Sequence, residues 1–138
     1  MTDEELAKRG IKLAGYLPGA LAETVRLHME YYAPQWNFGV AFETKVASEM
    51  AEFLGRLDAD RDLYLKAHND HGDMLGTITI DAEEVDSEGA HLRWFITSDA
   101  ARSTGLGRAL MSRAIQFCDQ CGYDRIYLTT FAGLEAAR

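Results

Sequence analysis

Residues 91–107 have the sequence HLRWFITSDAARSTGLG, which combines an apolar strand, a short polar loop and two glycines that lead into a helix. Gly105 and Gly107 let the backbone approach a ligand closely, because no Cβ stands in the way. The first turn of a helix leaves N–H groups unpaired and carries a partial positive charge. The segment therefore predicts a cradle for a pyrophosphate, to which Arg102 and Arg108 add positive charge.

Two common nucleotide-binding motifs do not match this turn. The dinucleotide motif G-x-G-x-x-G needs a third glycine, and the Walker A motif requires Gly-Lys followed by Ser or Thr. Neither spacing occurs around Gly105 and Gly107. A nicotinamide or ATP site is therefore not supported. On the two glycines alone, a tight strand-to-helix turn without a ligand is the better interpretation.

Apolar residues in the rest of the chain recur with helical or strand spacing, and turn residues separate the segments. The predicted elements are a strand at 11–15, helices at 20–32 and 42–57, strands at 63–68, 74–80 and 91–97, a helix at 105–121 that stops at Gly122, a strand at 125–130 and the start of a helix at 134–138. Residues 33–39 and 82–89 are predicted to be loops. The order indicates one mixed α/β domain.

The composition is that of a globular chain with a substantial core, since 47% of the 138 residues are apolar and 26% are charged. The formal net charge of −8 argues against a nucleic-acid-binding face, because phosphate neutralisation requires clustered Lys and Arg. No apolar run is long enough to cross a bilayer, and residues 1–10 lack the apolar stretch of a signal peptide. We therefore expect a cytoplasmic protein that binds neither nucleic acid nor membranes.

Taken as a whole, residues 91–107 resemble a known signature. The pattern Arg102-x-x-Gly105-x-Gly107, placed after a strand, is similar to the Q/R-x-x-G-x-G/A signature of the GNAT superfamily of N-acetyltransferases. The order of elements agrees over nearly the whole chain. The resemblance is strongest to GNAT domains that are fused to MarR-type DNA-binding domains, although no segment here resembles a DNA-binding domain. The phrases that carry it are YYA at 31–33 with Trp36, FE at 42–43, LRWF at 92–95 and FAGLEAAR at 131–138.

The resemblance implies an α/β (α+β) fold class, namely a GNAT-like acyl-CoA N-acyltransferase fold. Helices would flank a central mixed, mostly antiparallel sheet, and residues 1–138 would form a single domain. The last strand pair of the family has no counterpart before Arg138, so we expect the fold to be incomplete at its C-terminal end. An incomplete sheet exposes an edge that can pair with another chain, which predicts a homo-oligomer.

The resemblance also implies that acetyl-CoA is the co-substrate and that its acetyl group passes to a primary amine of a small molecule or peptide. In this family the strand before the signature pairs with the pantetheine arm, a role that falls on Trp94, Phe95 and Ile96. The residues that would hold the pyrophosphate are Arg102, Ser103, Thr104, Gly105, Leu106, Gly107 and Arg108. A CoA-binding sensor or interaction module without turnover is the alternative.

Catalytic groups are harder to assign. Aminolysis needs an uncharged amine, and therefore a general base, together with an acid for the departing thiolate. Glu43 and His91 are the base candidates, although Glu43 also fits a solvated helix residue and His91 an edge residue of a strand. The family's acid is a tyrosine in a helix expected beyond Arg138. Neither Tyr123 nor Tyr127 is assigned to that role.

Two short metal-like motifs have simpler explanations. Cys118 and Cys121 form a C-x-x-C pair at the end of a predicted helix, where the dipole does not favour a thiolate, and no second pair completes a zinc site. They are predicted to be packing cysteines. His68 and His71 lie in a polar hairpin turn that is predicted to be solvated. We therefore expect no bound metal.

An aromatic cluster lies between the first two predicted helices. In GNAT-like folds this region lines the pocket for the acceptor amine, so an aromatic or apolar acceptor is one interpretation. The other is that the rings close the core, and the sequence does not separate the two. The cluster consists of Tyr31, Tyr32, Trp36, Phe38 and Phe42.

Overall fold

The fold is a mixed sheet between two layers of helices, which a computed structural model describes over residues 1–36 and 39–128. In chain order the elements are α1 (Asp3–Lys8), β1 (Lys12–Ala14), α2 (Ala20–Trp36), α3 (Val40–Gly55), β2 (Leu63–His68), β3 (Met74–Asp81), β4 (Ala90–Thr97), a short 3-10 helix (Asp99–Ala101), α4 (Leu106–Cys121) and β5 (Ile126–Leu128). Neighbouring strands are also consecutive in the chain. The first three pairings are antiparallel, and β4 and β5 are parallel. This arrangement confirms the predicted fold class.

Strands β2 and β3 and helix α4 lie close to where the sequence predicts them. β2 spans the predicted residues, β3 extends one residue further, and α4 stops at Gly122, which has a left-handed φ of 78°. The predicted residues 129–130 of the last strand, the helix at 134–138 and the FAGLEAAR phrase lie outside the described residues. Within the described part, no helix is both long and apolar enough to span a membrane.

The helices differ from the prediction in one additional helix, in the end of α2 and in the bounds of α3, which was predicted at 42–57. The sequence analysis did not predict α1, although a capping box starts it: Thr2 and Glu5 each accept a hydrogen bond from the other's backbone N–H. The predicted loop at 33–39 was wrong for residues 33–36, because α2 continues to Trp36. The Tyr32 ring packs edge-on against Phe42 of α3, with centroids 5.8 Å apart. Such packing between helices overrides weak local signals.

One face of the sheet, here called the α4 face, packs against α1 and α4 and is almost wholly apolar. Its buried side chains include Leu6, Ile11, Ile78, Leu92 and Leu110. Helix α4 packs against Gly76 of β3. A Cβ there would lie 2.9 Å from the carbonyl oxygen of Ile96 and 3.2 Å from a methyl carbon of Leu110. The helix can lie this close because Gly76 has no side chain.

The opposite face, here called the α2/α3 face, mixes apolar and polar groups. Phe53 of α3 is fully buried beside Trp94 of β4. The Tyr64 hydroxyl shares a 2.7 Å hydrogen bond with Thr24 of α2. His28 of α2 is also buried, and burial lowers its pKa to about 4, so the ring stays neutral at pH 7.

A buried ion network ties α3 to the sheet on this face. Arg56, just after α3, donates two hydrogen bonds of 2.9 and 2.8 Å to Asp81, and Arg93 of β4 donates a third of 2.9 Å. Arg93 also lies 3.2 Å from Glu49 of α3. Burial by itself raises the pKa of Asp81, but the hydrogen bonds from Arg56, the Glu83 N–H and Arg93, together with the charge of Arg56, outweigh it and lower the pKa to about 2. The carboxylate therefore remains charged and links three elements.

We expect Gly76→Ala to lower the free energy of unfolding by about 1–3 kcal/mol, because the new methyl must displace the Ile96 carbonyl or push α4 away. Urea unfolding followed by circular dichroism measures the change. Gly55→Ala is the matched control, since a Cβ at Gly55 meets no described atom within 4 Å. That variant should be as stable as the parent or slightly more stable. Equal stability of the two variants would contradict the close contact at Gly76.

Candidate functional site

Strand β4 contains one residue more than β3 in the middle of their pairing. Thr77 pairs with Ile96 and Thr79 pairs with Arg93, so two steps along β3 correspond to three along β4. Trp94 lies within this β-bulge and has a φ of 48°, a left-handed conformation that is uncommon for a bulky residue. The extra residue turns Arg93 and Trp94 to the same face, and the Arg93 guanidinium lies 4.1 Å from the centre of the Trp94 ring.

A buried hydroxyl holds the bulge in place. Thr77 is fully buried, and its Oγ1 donates a 2.8 Å hydrogen bond to the carbonyl oxygen of Trp94. The C=O of Trp94 and the N–H of Phe95 belong to one planar trans peptide and point in opposite directions. The hydrogen bond therefore also directs the N–H of Phe95 away from Thr77.

The loop after β4 enters α4 through two left-handed residues. Ser103 has a φ of 67°, and Gly105, the residue that precedes α4, has a φ of 87°. Thr104 shapes the turn between them, because its hydroxyl accepts a 3.2 Å hydrogen bond from the N–H of Leu106. This conformation exposes successive N–H groups at the positive end of the helix.

Four backbone donors remain available in this loop. Among the residues that the structure describes, no acceptor is within hydrogen-bond reach of the N–H groups of Ser103, Gly105, Gly107 and Arg108. Ser103, Gly105 and Gly107 lie within the predicted segment 102–107, and Arg108 follows it directly. N–H groups without an internal partner at a helix start are suited to an anion.

The start of α4 lies against β4, and this contact joins the two halves of the predicted site. A Cβ on Gly107 would lie 3.9 Å from the ring of Phe95 and 3.9 Å from the methyl group of Thr97. Phe95 is 36% exposed at this junction, whereas Ile96 is buried. The structure thus brings Phe95, one of the three predicted strand residues, next to Gly107 of the predicted loop, whereas Trp94 packs against Phe53 of α3 on the other face.

The positive charges around the loop differ in their partners. Arg102 donates hydrogen bonds of 3.2 and 3.0 Å to Asp99, and its side chain is 68% exposed. Arg108 is exposed. Arg9, which the sequence analysis missed, donates a hydrogen bond from Nη1 to the carbonyl oxygen of Thr104. No local pattern could have indicated Arg9, because 95 residues separate the two groups.

The two candidate bases lie in different environments. His91 is partly buried at the start of β4, where its ring stacks on Tyr127 with centroids 4.4 Å apart. Burial and, to a lesser extent, the positive charge of Arg93 together lower the pKa of His91 to about 4, so the ring is neutral at pH 7. Glu43 lies in the first turn of α3 and is exposed to solvent.

The family is established by sequence. The profile of the Acetyltransferase (GNAT) family matches residues 21–138, a range that includes every predicted site residue. The chain belongs to the GNAT acetyltransferase family. No curated protein matches it significantly.

Solved structures share the GNAT fold at low sequence identity. A GNAT family acetyltransferase from Staphylococcus aureus Mu50 superposes with a TM-score of 0.71 at 19% identity, over 92% of this chain and 77% of that one. An acetyltransferase from Streptococcus agalactiae 2603 gives 0.68 at 21% identity, over 94% and 78%. A GNAT family acetyltransferase from Brucella melitensis, solved in complex with acetyl-CoA, gives 0.63 at 15% identity, over 92% and 80%. Identities this low show a common fold.

The cysteine and histidine motifs lie away from this junction. Cys118 is buried in the α4 face, and burial raises the pKa of its thiol to about 11, so it is protonated at neutral pH. His68 lies in β2, with Nε2 3.7 Å from Glu23. Among the described residues, no group of three or more His, Cys, Asp or Glu side chains is placed to hold a metal ion.

Part of the aromatic cluster packs in the interior. Phe42 is buried beside Val46 and Met50, and the ring of Tyr32 packs against it. Tyr31 in turn packs edge-on against Tyr32, with centroids 4.9 Å apart. For these three rings the contacts favour the core interpretation. The side chain of Trp36 and all of Phe38 lie outside the described part.

We expect Thr77→Val to lower the free energy of unfolding by about 1–3 kcal/mol, because the buried Trp94 carbonyl loses its hydroxyl donor. Thr79→Val is the matched control in the same strand. Thr79 is equally buried, and its Oγ1 has no hydrogen-bond partner among the described residues. Removal of that hydroxyl should leave stability unchanged or raise it. Urea unfolding of both variants tests the assignment, and equal losses would exclude a special role for Thr77.

Proposed function

We propose that this protein is an acetyl-CoA-dependent N-acetyltransferase that acetylates a primary amine of a small molecule or peptide. One observation carries the proposal, namely the contact between the bulged strand β4 at Phe95 and the start of α4 at Gly107. A thioester arm could follow the strand while its phosphates rest on the helix start. Family membership and the acetyl-CoA complex of the Brucella melitensis relative support this assignment.

The residues of the loop fit the diphosphate of CoA. Four N–H donors lie at the positive end of α4. Gly105 and Gly107 add no side chain there, while the Met1 side chain packs on Gly105, where a Cβ would lie 2.5 Å from its Cε. Arg102 and Arg108 contribute positive charge that can complement phosphate oxygens. The backbone of Trp94, Phe95 and Ile96 would bind the pantetheine arm, since strand N–H and C=O groups match an amide-containing chain.

The chemistry itself needs positioning and polarisation more than covalent participation of the protein. Bound acetyl-CoA supplies a thioester, whose acetyl carbon bonds to the amine nitrogen as the thiol leaves. The N–H of Phe95, which Thr77 directs away from β3 through the Trp94 peptide, is suited to polarise a carbonyl oxygen. Alignment of an amine with that polarised carbonyl would supply much of the rate.

Either candidate base would act on the amine before or during transfer. His91 is neutral at pH 7 and lies on the same strand as Phe95, so it can accept a proton directly or through water. Glu43 would act from α3. The net charge of −8 favours the approach of cationic amines over anionic acceptors, which supports an amine as the substrate class.

We also propose that residues 1–138 form a single GNAT-like domain, that the protein is cytoplasmic and that it self-associates. The surface of β5 supports self-association. Within the described residues β5 is an edge strand, and its Ile126 and Leu128 side chains are 40% and 46% exposed. Exposed apolar side chains on an edge strand favour pairing with a second copy.

We expect Gly107→Glu to weaken acetyl-CoA binding roughly 100-fold, because its carboxylate would repel the diphosphate at the helix start. The variant should fold normally, since an acidic residue in the first turn suits the helix dipole and a Cβ at Gly107 meets only ordinary contacts at 3.9 Å. Isothermal titration calorimetry measures the affinity. Ser112→Glu adds the same charge at an exposed position further along α4 and is the control. Unchanged affinity in Gly107→Glu would place the phosphates elsewhere.

Turnover separates the transferase from a CoA-binding sensor. We expect acetyl transfer to an amine panel, with a loss of about 10²–10⁴-fold in kcat/KM when the true base is replaced, in either His91→Gln or Glu43→Gln. If His91 is the base, its lowered pKa of about 4 keeps it unprotonated, so the rate should not fall through its titration between pH 7 and 5.5. Acetyl-CoA binding with no transfer to any amine would favour the sensor.

A further inference from the structure

Arg9 lies at the C-terminal end of α1, and the fold places it directly over the start of α4. Its Nη1 donates a hydrogen bond to the carbonyl oxygen of Thr104, the residue before Gly105. A Cβ on Gly105 would lie 2.5 Å from Cε of Met1 and 3.4 Å from the same Nη1, so the Met1 side chain and the Arg9 guanidinium both pack against the glycine that precedes the helix. The guanidinium therefore lies beside the turn that leads into α4.

Helix α1 holds Arg9 in this position through independent contacts. Leu6 and Ile11, on either side of Arg9 in sequence, are buried in the α4 face with 1% and 2% exposure. Asp3 at the beginning of α1 accepts a 2.7 Å hydrogen bond from Arg113 of α4. The position of Arg9 is thus fixed by α1 packing on α4 and does not depend on its own contact with Thr104.

Arg9 and Arg102 differ in their acidic neighbours. Arg102 is paired with Asp99, whereas within the described ranges Arg9 has no ion pair within 4 Å and interacts with Glu5 only at longer range. Its hydrogen bond to a neutral carbonyl uses one of the five N–H donors of a guanidinium. The remaining donors have the fork geometry that suits phosphate oxygens.

We propose that Arg9 is a phosphate-binding residue of the CoA site and that α1 serves to present it to the diphosphate. The inference rests on the proposed function and adds a residue from outside the family match, which begins at residue 21. The loop amides supply hydrogen bonds from the helix side, and Arg9 supplies the opposing charge from α1. In an acidic protein with a net charge of −8, such a cation offsets long-range repulsion of the phosphates.

The test compares Arg9→Gln with Lys8→Gln by isothermal titration calorimetry, using CoA and the phosphate-free fragment pantetheine at low and high salt. Lys8 is exposed on the same helix and forms no ion pair within the described residues, so its variant controls for net charge. We expect Arg9→Gln to weaken CoA binding about 10-fold or more, with a smaller difference at high salt. Lys8→Gln should stay within about twofold, and Arg9→Lys should be intermediate, since it keeps the charge but loses the fork.

The outcomes distinguish the failure of this inference from that of the proposed function. A loss specific to CoA in a stably folded Arg9→Gln variant supports the assignment. If the parent binds CoA and Arg9→Gln binds it equally well, or loses CoA and pantetheine to the same extent, Arg9 is not a phosphate ligand, while the proposed function stands. Failure of the folded parent to bind CoA would overturn both proposals.

Discussion

The extra residue in β4 is the constraint on which the rest of the candidate site depends. Side chains in a regular strand alternate between faces, so Leu92, Trp94 and Ile96 would all point to one side. The bulge reverses that alternation after Arg93. Leu92 therefore stays in the α4 face, while Trp94 packs among α2 and α3 and Phe95 meets the start of α4 at Gly107. One additional residue thus places neighbouring side chains of the same strand against different helices.

Several interactions stabilise the bulge against its strained backbone. The hydroxyl of Thr77 satisfies the Trp94 carbonyl, and the Arg93 guanidinium covers the Trp94 ring. Arg93 is itself held by Asp81 and Glu49, so β4 is joined to β3 and α3 by charge as well as by its strand pairing. A left-handed conformation at a bulky residue persists only where its surroundings fix it in this way.

Packing on the α4 face of the sheet positions the start of α4, where a diphosphate would bind. Gly76 leaves room for Leu106 and Leu110 of α4, whose methyl carbons would lie 3.3 and 3.2 Å from a Cβ there. Helix α1 then packs beside α4 and places Arg9 at the loop. The candidate site is therefore assembled from three segments: the bulged strand, the glycine-containing turn and a short N-terminal helix.

The sequence by itself determined the family, the order of the strands and of the three long helices, and the glycine-containing turn before α4. These features rest on short-range signals: residues 63–68 form an apolar-rich run beside a turn, Gly122 ends a helix, and Arg102, Gly105 and Gly107 lie within six residues of one another. Local signals were misleading at 33–36, where packing between α2 and α3 extends the helix. Only the tertiary structure decided that β4 bulges at Trp94, because a bulge is a mismatch between two paired strands. Only the tertiary structure brought Arg9 to Thr104 as well, since a contact across 95 residues depends on how α1 packs against α4 and leaves no periodicity in the chain.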